Sequence, residues 1–595
     1  MLVYGDAARS EPAGEALARV ADALARAEAA PVGLARHSTM IEALIESGEL
    51  AQGIADRDFH AAGAVDRASP PGDAAMALTM AIARRCALSW TSRFAACGAP
   101  VASEIGRCAA LLPAGDIEVK QPEGYAFYQL YPESAFVAAA GVVRERWQVI
   151  GVRSIGTSLA CMVAAGLGAP QPITVRPFGD PFARSVAADP SRIDRAAAAY
   201  ALVDEGPGLS GSSLAAVAGW LLDAGIGEDR LHFFASHRHG PGPQADGAIR
   251  ALWRRATSGG RVHVTTFDDL VLHAEASEHR LENWIAALSG PLQAPLREIG
   301  GGAWRDLQAR SGGAVAPSHP WQERRKFLAL AGGTHWLVKF NGLGAAGLRK
   351  LAVARALARA GFAPEPLGCV HGFLVERWQE RAQPLPRKLP ATARACLLER
   401  VGGYLGFRAR QFEAPSQSGA SIEALAAMGR CNSIEALGPE AASEWDGWSP
   451  HLAALAGEVR RVATDNRMHA WEWLRCGTEF VKTDAIDHHA GHDLIGCQDI
   501  AWDIAGATVE LDLMAEEERR LATRVGELSG RAVAEPLVRF FAACYPAFQL
   551  GYYDDAARSA ADAPSAEAVR LRALRDRYAE RLRQVLASTA FTPRR

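Results

Sequence analysis

One segment of the chain combines an apolar run, two adjacent carboxylates, a loop of glycines and hydroxyls, and a helix-like stretch. The run Tyr200–Val203 ends at Asp204 and Glu205, the loop covers residues 206–213, and the helical pattern covers Leu214–Leu222. Backbone amides of a glycine loop and of a helix N-terminus favour an anion, and hydroxyls add donors. Because carboxylates repel a bare phosphate, the segment favours a ligand that also presents sugar hydroxyls or a metal. The alternative is a strand-to-helix turn with a serine cap.

This order of elements resembles the phosphoribosyl diphosphate (PRPP) signature of type I phosphoribosyltransferases. In that family the acidic pair holds the ribose hydroxyls and the following loop holds the 5′-phosphate. The resemblance therefore implies that Asp204 and Glu205 are catalytic. The loop is one residue longer than the family's usual loop and contains Gly-Pro-Gly. The loop residues that would bind PRPP are Ser210, Gly211, Ser212 and Ser213.

A second strand, loop and helix pattern covers Trp147–Ala165, about fifty residues upstream. In the same family, the loop after the first core strand binds pyrophosphate and precedes the PRPP loop. Between the two loops, Ile173–Arg184 begins like a strand and breaks at prolines, where the family has a mobile hood. The resemblance implies further PRPP contacts from Arg153, Ser154, Gly156, Thr157 and Ser158.

The second half of the chain has a different pattern. Arg324–Phe340 predicts a hairpin with Lys339 late in its second arm, and Phe362–Trp378 predicts two further strands. These segments resemble the strands of aminoglycoside-phosphotransferase-type kinases, and Gln498–Ala505 is similar to their Gly-Asp-Pro-x-x-Asp-Leu-Ala segment. The resemblance implies that Lys339 and Glu376 bind ATP.

Two aspartates, Asp465 and Asp484, have the spacing that this kinase family shows between its catalytic loop and its metal-binding motif. By that resemblance, Asp465 is the catalytic carboxylate and Asp484 binds Mg²⁺ beside the phosphates. The expected asparagine position holds Ala470, so we expect Glu472 or His469 to replace it as a metal ligand.

The residues before the first of these aspartates depart from the family's His-Gly pair. Ala463 and Thr464 stand in their place, and we find no glycine loop of the Walker type. Both an active kinase and a degenerate, non-catalytic kinase fold are therefore open interpretations.

Size and composition bound these interpretations. A chain of 595 residues with 49% hydrophobic and 22% charged residues suits a globular protein of about three domains. The formal net charge of −3 gives no electrostatic case for nucleic-acid or membrane binding. The ten cysteines are scattered without a Cys-x-x-Cys pair, and no signal peptide or long apolar stretch is evident. We expect a cytoplasmic protein with small-molecule partners, and a homo-oligomer stays open.

The fold class predicted from these patterns is multidomain α/β and α+β. Residues 1–115 predict a helical region, residues 116–290 a parallel-sheet phosphoribosyltransferase-like domain, and residues 300–595 a bilobal kinase-like domain. The resemblances imply a PRPP-dependent phosphoribosyltransferase acting on a small-molecule or nucleobase-like acceptor, with Mg²⁺, fused to a kinase-like domain that uses ATP. The alternatives are a non-catalytic sensor of PRPP or nucleotides, and a small-molecule kinase with a degenerate phosphoribosyltransferase domain.

Overall fold

A computed structural model of the protein describes residues 1–5, 8–143, 145–308, 316–319, 322–386, 388–491, 493–560 and 566–588. Its first region is helical, as predicted, and a two-stranded antiparallel ribbon closes it. Apolar residues of the first helix recur every three or four positions from Ala13 to Ala27, so one face is buried. The elements are β1 (Ala8–Pro12), α1 (Ala13–Ala29), α2 (Leu34–Ala61), α3 (Pro70–Thr91), α4 (Ala102–Leu111) and β2 (Asp116–Lys120).

The central region is built on a parallel sheet with helical crossovers. Its elements are α5 (Glu123–Ala126), α6 (Pro132–Ala140), β3 (Trp147–Val152), α7 (Gly156–Leu167), β4 (Ile173–Val175), β5 (Phe178–Asp180), β6 (Ala183–Ser185), β7 (Ala199–Val203), α8 (Ser212–Asp223), β8 (Leu231–Phe234), α9 (Gly247–Ser258), β9 (Val262–His263) and α10 (Leu281–Ser289). The sheet order is β4-β3-β7-β8-β9, with every pair parallel. The small hairpin β5–β6 stands apart from this sheet.

Strand β7 is buried on both faces, which explains its uninterrupted apolar run. Ala199, Ala201 and Val203 belong to a core that also contains the N-terminal helices. Tyr200 and Leu202 belong to a second core on the opposite face, which includes residues of α8. The sheet therefore lies between the N-terminal helices and its own crossover helix α8.

An antiparallel sheet follows and contains the predicted hairpin. The elements are β10 (Arg297–Glu298), α11 (Arg305–Gln308), β11 (Lys326–Ala331), β12 (Thr334–Phe340), α12 (Gly344–Arg359), β13 (Pro366–Val370) and β14 (Phe373–Arg377). The sheet order is β10-β11-β12-β14-β13. The turn between β11 and β12 is Gly332-Gly333, with φ of 57° and 71°. Two positive φ angles match the twist of a tight hairpin, and glycine adopts them without strain.

The last region is mainly helical and we call it the helical lobe. Its elements are β15 (Gln383–Pro384), α13 (Ala391–Gln411), α14 (Ile422–Leu437), α15 (Ala442–Asp446), α16 (Leu452–Glu458), β16 (Trp473–Cys476), β17 (Glu479–Lys482), α17 (Ala501–Glu510), α18 (Ala515–Ser529), α19 (Glu535–Ser559) and α20 (Ala566–Leu586). The three strands form a small sheet in the order β15-β16-β17. Helix α19 packs against α14, α17 and α20.

The hydrophobic cores cross the predicted domain boundaries. One core runs from Leu44 in the N-terminal helices through Val203 in the parallel sheet to Phe340 and Phe373 in the antiparallel sheet. A separate core fills the helical lobe and includes Val3 from the first residues of the chain. The division at residues 115 and 290–300 thus stays a prediction. No helix in the described part of the chain is both long and apolar enough to span a membrane.

Candidate functional site

A cleft of about 290 Å³ is lined by residues of both the antiparallel sheet and the helical lobe. The sheet contributes Lys339 and Glu376, and the helical lobe contributes Glu472 and Asp484. Four of the residues selected from the sequence as kinase-like therefore line one cleft. Further lining residues are Phe127, Tyr128, Trp304, Arg467, His469, Trp471, His488, Asp493, Tyr552 and Tyr553.

An ion pair between Lys339 and Asp484 joins the two sides of this cleft. Lys339 lies on β12, and its ammonium group donates to a carboxylate oxygen of Asp484, just after β17. Burial opposes the charge on Asp484, but Lys339 and His488 hold the pKa of its carboxyl well below the ordinary value. Asp484 has φ of 52°, in the left-handed region that costs a non-glycine residue energy. The pair therefore presents a fixed cation and a fixed anion within the cleft.

Glu376 lies on the neighbouring strand β14, on the same face of the sheet as Lys339. It stands opposite Leu337, two residues before the lysine. Burial raises the pKa of Glu376 to about 7, although Lys339 opposes the shift. The two predicted ATP-binding residues are thus together on the sheet side of the cleft.

The two predicted metal ligands also come together. Ligand atoms of Glu472, Asp484 and His488 all lie within 4.8 Å of one another. Nε2 of His488 is 3.6 Å from Asp484, and the buried Lys482 donates to Glu472 at 2.7 Å. Burial opposes a charge on His488, but the hydrogen bonds that it donates to Asp465 and Asp484 raise its pKa to about 9. Two carboxylates in a cleft suit Mg²⁺, which prefers oxygen ligands, whereas a protonated His488 is a donor and not a ligand.

The structure places Asp465, the predicted catalytic carboxylate, outside the lining of the cleft. Its side chain is fully buried and does not line the cleft. Tyr404 donates to one of its oxygens, and the ammonium of Lys482 lies 3.1 Å from the same oxygen. His488 lies between Asp465 and Asp484, 3.5 Å from the former. The predicted catalytic carboxylate therefore holds Lys482 and His488 in place and does not touch the space of the cleft.

The segment that is similar to Gly-Asp-Pro-x-x-Asp-Leu-Ala holds the loop that contains Asp465 and Asn466. Asp503, in the first turn of α17, accepts hydrogen bonds from the backbone amides of Asp465 and Asn466, at 2.7 and 2.9 Å. Burial and the nearby Asp465 raise the pKa of Asp503 to about 7. The fixed loop explains how Asn466 keeps a φ of 67°.

A buried network behind the cleft was not predicted. His469 lines the cleft, and its Nδ1 lies 3.3 Å from a carboxylate oxygen of Glu510. Tyr578 and Tyr545 donate to the same oxygen at 2.6 and 3.1 Å. His469 is therefore oriented by Glu510 and is not part of the Glu472 group. The partners lie tens of residues apart with no motif between them, so no local sequence pattern could have identified the network.

The acidic pair of the central region lies at the end of β7, as the pattern predicts. Asp204 and Glu205 are half-buried, and the Glu205 amide donates to the Asp204 carboxylate at 2.8 Å. Burial raises the pKa of Asp204 to about 7, and burial with the neighbouring Asp204 raises that of Glu205 to about 8. A side chain at Gly124 would meet Glu205 at 2.9 Å, so the glycine allows this close approach. Neither carboxylate lines the cleft that contains Lys339.

The hydroxyls of the following loop have internal partners. Ser210 and Ser212 both donate to the carbonyl of Pro181, at 3.1 and 2.7 Å, in the turn of the β5–β6 hairpin. Gly211 precedes α8 with φ of 67°, where glycine is favoured. Ser213 is half-buried at the start of α8. The loop is therefore closed against the hairpin by the hydroxyls that were predicted to bind phosphate.

The loop after β3 adjoins the loop after β7 because the two strands are neighbours. Arg153 is nevertheless fully buried and paired with Asp56 and Asp66 of the N-terminal region. Its charge is thus neutralised inside the protein, and its predicted role as a diphosphate contact gains no support from these contacts. The rest of the loop is Ser154, which is half-buried, with Gly156, Thr157 and Ser158, which are buried at the start of α7. The hydroxyl of Ser158 bonds Tyr125 at 2.9 Å.

Comparisons with known proteins bear on the two resemblances. No protein-family model and no curated protein matches the chain. Solved structures similar to it include the choline kinase LicA from Streptococcus pneumoniae, with 14% identity, TM-score 0.32, and coverage of 44% of this chain and 89% of that one. A choline/ethanolamine kinase family protein from Mesorhizobium loti has 16% identity, TM-score 0.33, and coverage of 52% and 95%. A putative aminoglycoside phosphotransferase from Ralstonia eutropha has 12% identity, TM-score 0.35, and coverage of 51% and 97%.

These comparisons correct the predicted enzyme class. The similar structures are kinases and phosphotransferases, which contradicts the expectation of a phosphoribosyltransferase. PRPP as a ligand has no support among them. The parallel sheet is present, but its assignment to the phosphoribosyltransferase fold is not confirmed. The similar structures are of the kinase type that the resemblance in the second half of the sequence implied.

Proposed function

We propose that the chain binds ATP with Mg²⁺ in the cleft and transfers a phosphoryl group to a small molecule. The observation that carries the proposal is the Lys339–Asp484 ion pair, which spans the cleft. Enzymes that transfer phosphoryl groups place a lysine on the ATP phosphates and carboxylates on Mg²⁺. When MgATP enters, the lysine can move to the phosphates and the carboxylate to the metal, so neither charge loses a partner.

Two carboxylates would hold the metal in this proposal. Asp484 and Glu472 face one another across less than 4.8 Å, a distance that one hard cation can span. When bound, Mg²⁺ neutralises charge on the phosphate oxygens. Glu376, on the sheet side of the cleft, would line the nucleotide.

Nucleotide binding without transfer is the second candidate. The observation that favours it is the enclosure of Asp465 beneath Lys482 and His488, away from the cleft. The same cleft would then sense a nucleotide, and the Lys339–Asp484 pair would still exchange partners.

One experiment separates the two candidates. The full chain is incubated with γ-labelled ATP, Mg²⁺ and pools of small molecules carrying hydroxyl or amine groups, and labelled product and ADP are measured. If the protein transfers a phosphoryl group, wild type and the exposed control Lys388→Met should form labelled product and ADP. Lys339→Met should form neither. Thermal stabilisation by MgATP without ADP release would assign the cleft to sensing. If millimolar MgATP causes neither stabilisation nor ADP release, the proposed function is wrong.

A further inference from the structure

Two histidines and one glutamate meet where three regions of the chain join, and none of the three lines the cleft described above. His37 comes from α2, Glu133 from the first turn of α6, and His371 from the turn between β13 and β14. All three side chains are fully buried. Their ligand atoms lie within 4.8 Å of one another. The cluster therefore links the N-terminal helices, the central region and the antiparallel sheet that carries Lys339.

The spacing within this cluster is a few tenths of an ångström tighter than that of ligands around one ion. Nε2 of His37 lies 2.8 Å from Oε1 of Glu133, and Nε2 of His371 lies 3.1 Å from the same oxygen. Tetrahedral ligands at roughly 2.0–2.1 Å from zinc are about 3.3 Å apart. Small outward movements would place both imidazoles and the carboxylate around a shared centre.

Among the described residues, the second carboxylate oxygen of Glu133 has no hydrogen-bond partner. Oε2 of Glu133 and Nδ1 of His371 are buried without a hydrogen bond among the described residues. An unpaired buried carboxylate oxygen is costly. With Oε2 included, the three side chains offer four donor atoms, which is the number that a closed zinc site needs.

The surroundings of Glu133 provide no full cation in the described part of the chain. Its ion-pair partners there are the two imidazoles alone. Aromatic rings enclose these imidazoles: Phe94 lies 4.8 Å from His37 between ring centroids, and Trp284 lies 5.0 Å from His371. In such an apolar shell a divalent cation would compensate the carboxylate, and imidazole nitrogens are ligands that zinc and related metals prefer.

Supporting contacts orient the imidazole of His37 and fix the turn that carries His371. Ser89 contacts Nδ1 of His37 at 2.9 Å, so Nε2 can carry the free electron pair. His371 occupies a two-residue turn with Gly372, and both have positive φ, 39° and 89°. Such turns favour asparagine and glycine, so a histidine at this position costs conformational energy. Tyr131 donates to the His371 carbonyl at 2.8 Å and fixes the turn.

We propose that His37, Glu133 and His371 bind one divalent transition metal of the zinc class, through Nε2 of each imidazole and the two carboxylate oxygens. The ion would fasten the antiparallel sheet to the helices of the first two regions. It is separate from the Mg²⁺ proposed in the cleft and would have a structural role.

The test measures metal content and thermal stability of the full chain after loading with Zn²⁺ and removal of excess metal. His371→Asn removes an imidazole and suits the turn, and Glu133→Gln removes the charge. His60→Asn, at an exposed histidine, is the matched control, and Asp484→Asn removes a cleft carboxylate. We expect one equivalent of zinc in wild type and both controls, and less than a fifth of that in the two cluster variants. Chelation should lower the Tm of wild type by roughly 5–10 °C and leave that of His371→Asn unchanged.

Two results would overturn the proposal. The first is that wild type retains no zinc and that its Tm is the same in the presence and absence of zinc. The cluster would then be a set of hydrogen bonds only. The other is an unchanged zinc content in His371→Asn. If the variants fail to fold, loading wild type with Co²⁺ tests whether the cluster binds a metal. Visible absorption bands of tetrahedral Co²⁺ support the site, and their absence refutes it.

Discussion

The Lys339–Asp484 pair allows a quantitative test of how the cleft is held. Lys339→Met keeps the length of the side chain and removes its charge, which leaves His488 as the ion-pair partner of Asp484 among the described residues. Removing one partner of a buried ion pair costs roughly 3–5 kcal/mol. Because 36% of the Asp484 side chain is exposed, water replaces part of the interaction. We therefore expect a loss of about 2 kcal/mol.

The assay is a thermal melt of wild type, Lys339→Met, Asp484→Asn and the double variant. A loss of about 2 kcal/mol lowers Tm by roughly 4–8 °C in a domain of 150–250 residues. The double variant leaves no unpaired charge, so we expect it to recover about 1 kcal/mol relative to the sum of the single losses. MgATP near 100 times its wild-type Kd should stabilise wild type by about 2.7 kcal/mol, and Lys339→Met, which we expect to bind at least tenfold more weakly, by at most about 1.4 kcal/mol.

Additive losses in the double variant would refute the pairing, since independent residues do not couple. Full stabilisation of Lys339→Met by MgATP would refute the role of the lysine in nucleotide binding. The exposed Lys388→Met serves as the control for both measurements and should match wild type.

Three further predictions concern the central region. Arg153→Met should lower the free energy of unfolding by about 3–5 kcal/mol in thermal melts, because it removes the cation that pairs with the buried Asp66, whereas Asp56 keeps its ion pair with Arg176. Arg146→Met, in an exposed pair, should cost less than about 1 kcal/mol. The folded-state pKa of Glu205 is raised to about 8, so the protonated side chain stabilises the fold below the pKa of the unfolded chain, and this stabilisation is lost as pH rises through 8. The Tm difference between Glu205→Gln and wild type should therefore grow from pH 4.5 to pH 9, and a constant difference would contradict this. Gly124→Ala should cost about 1–3 kcal/mol through contact with Glu205 and Ile155, whereas Gly141→Ala, which meets nothing within 4 Å, should melt like wild type.

Local sequence patterns predicted the secondary-structure elements that depend mainly on neighbouring residues. The pattern of Arg324–Phe340 predicted the hairpin that carries Lys339, which turns at Gly332-Gly333, and the apolar run predicted β7, which ends at the two carboxylates. The spacing of Asp465 and Asp484 located two residues that both contact His488. In each of these cases the signal is a period, a turn residue or a short motif.

Contacts between distant residues decided the rest. Arg153 looked free to bind a diphosphate, but Asp56 and Asp66 arrive from a helix and a loop nearly a hundred residues earlier. The hydroxyls of Ser210 and Ser212 looked available, yet the β5–β6 hairpin accepts their hydrogen bonds. A single sequence shows which groups can bind a ligand, but it does not show which of them the fold uses internally.

Calorimetric titration of MgATP into wild type, Lys339→Met and Asp204→Asn tests the central claim most directly. If the cleft is the nucleotide site, wild type and Asp204→Asn bind one equivalent with the same Kd, and Lys339→Met binds at least tenfold more weakly. Unchanged binding in Lys339→Met together with lost binding in Asp204→Asn would place the nucleotide at the parallel sheet and contradict the account.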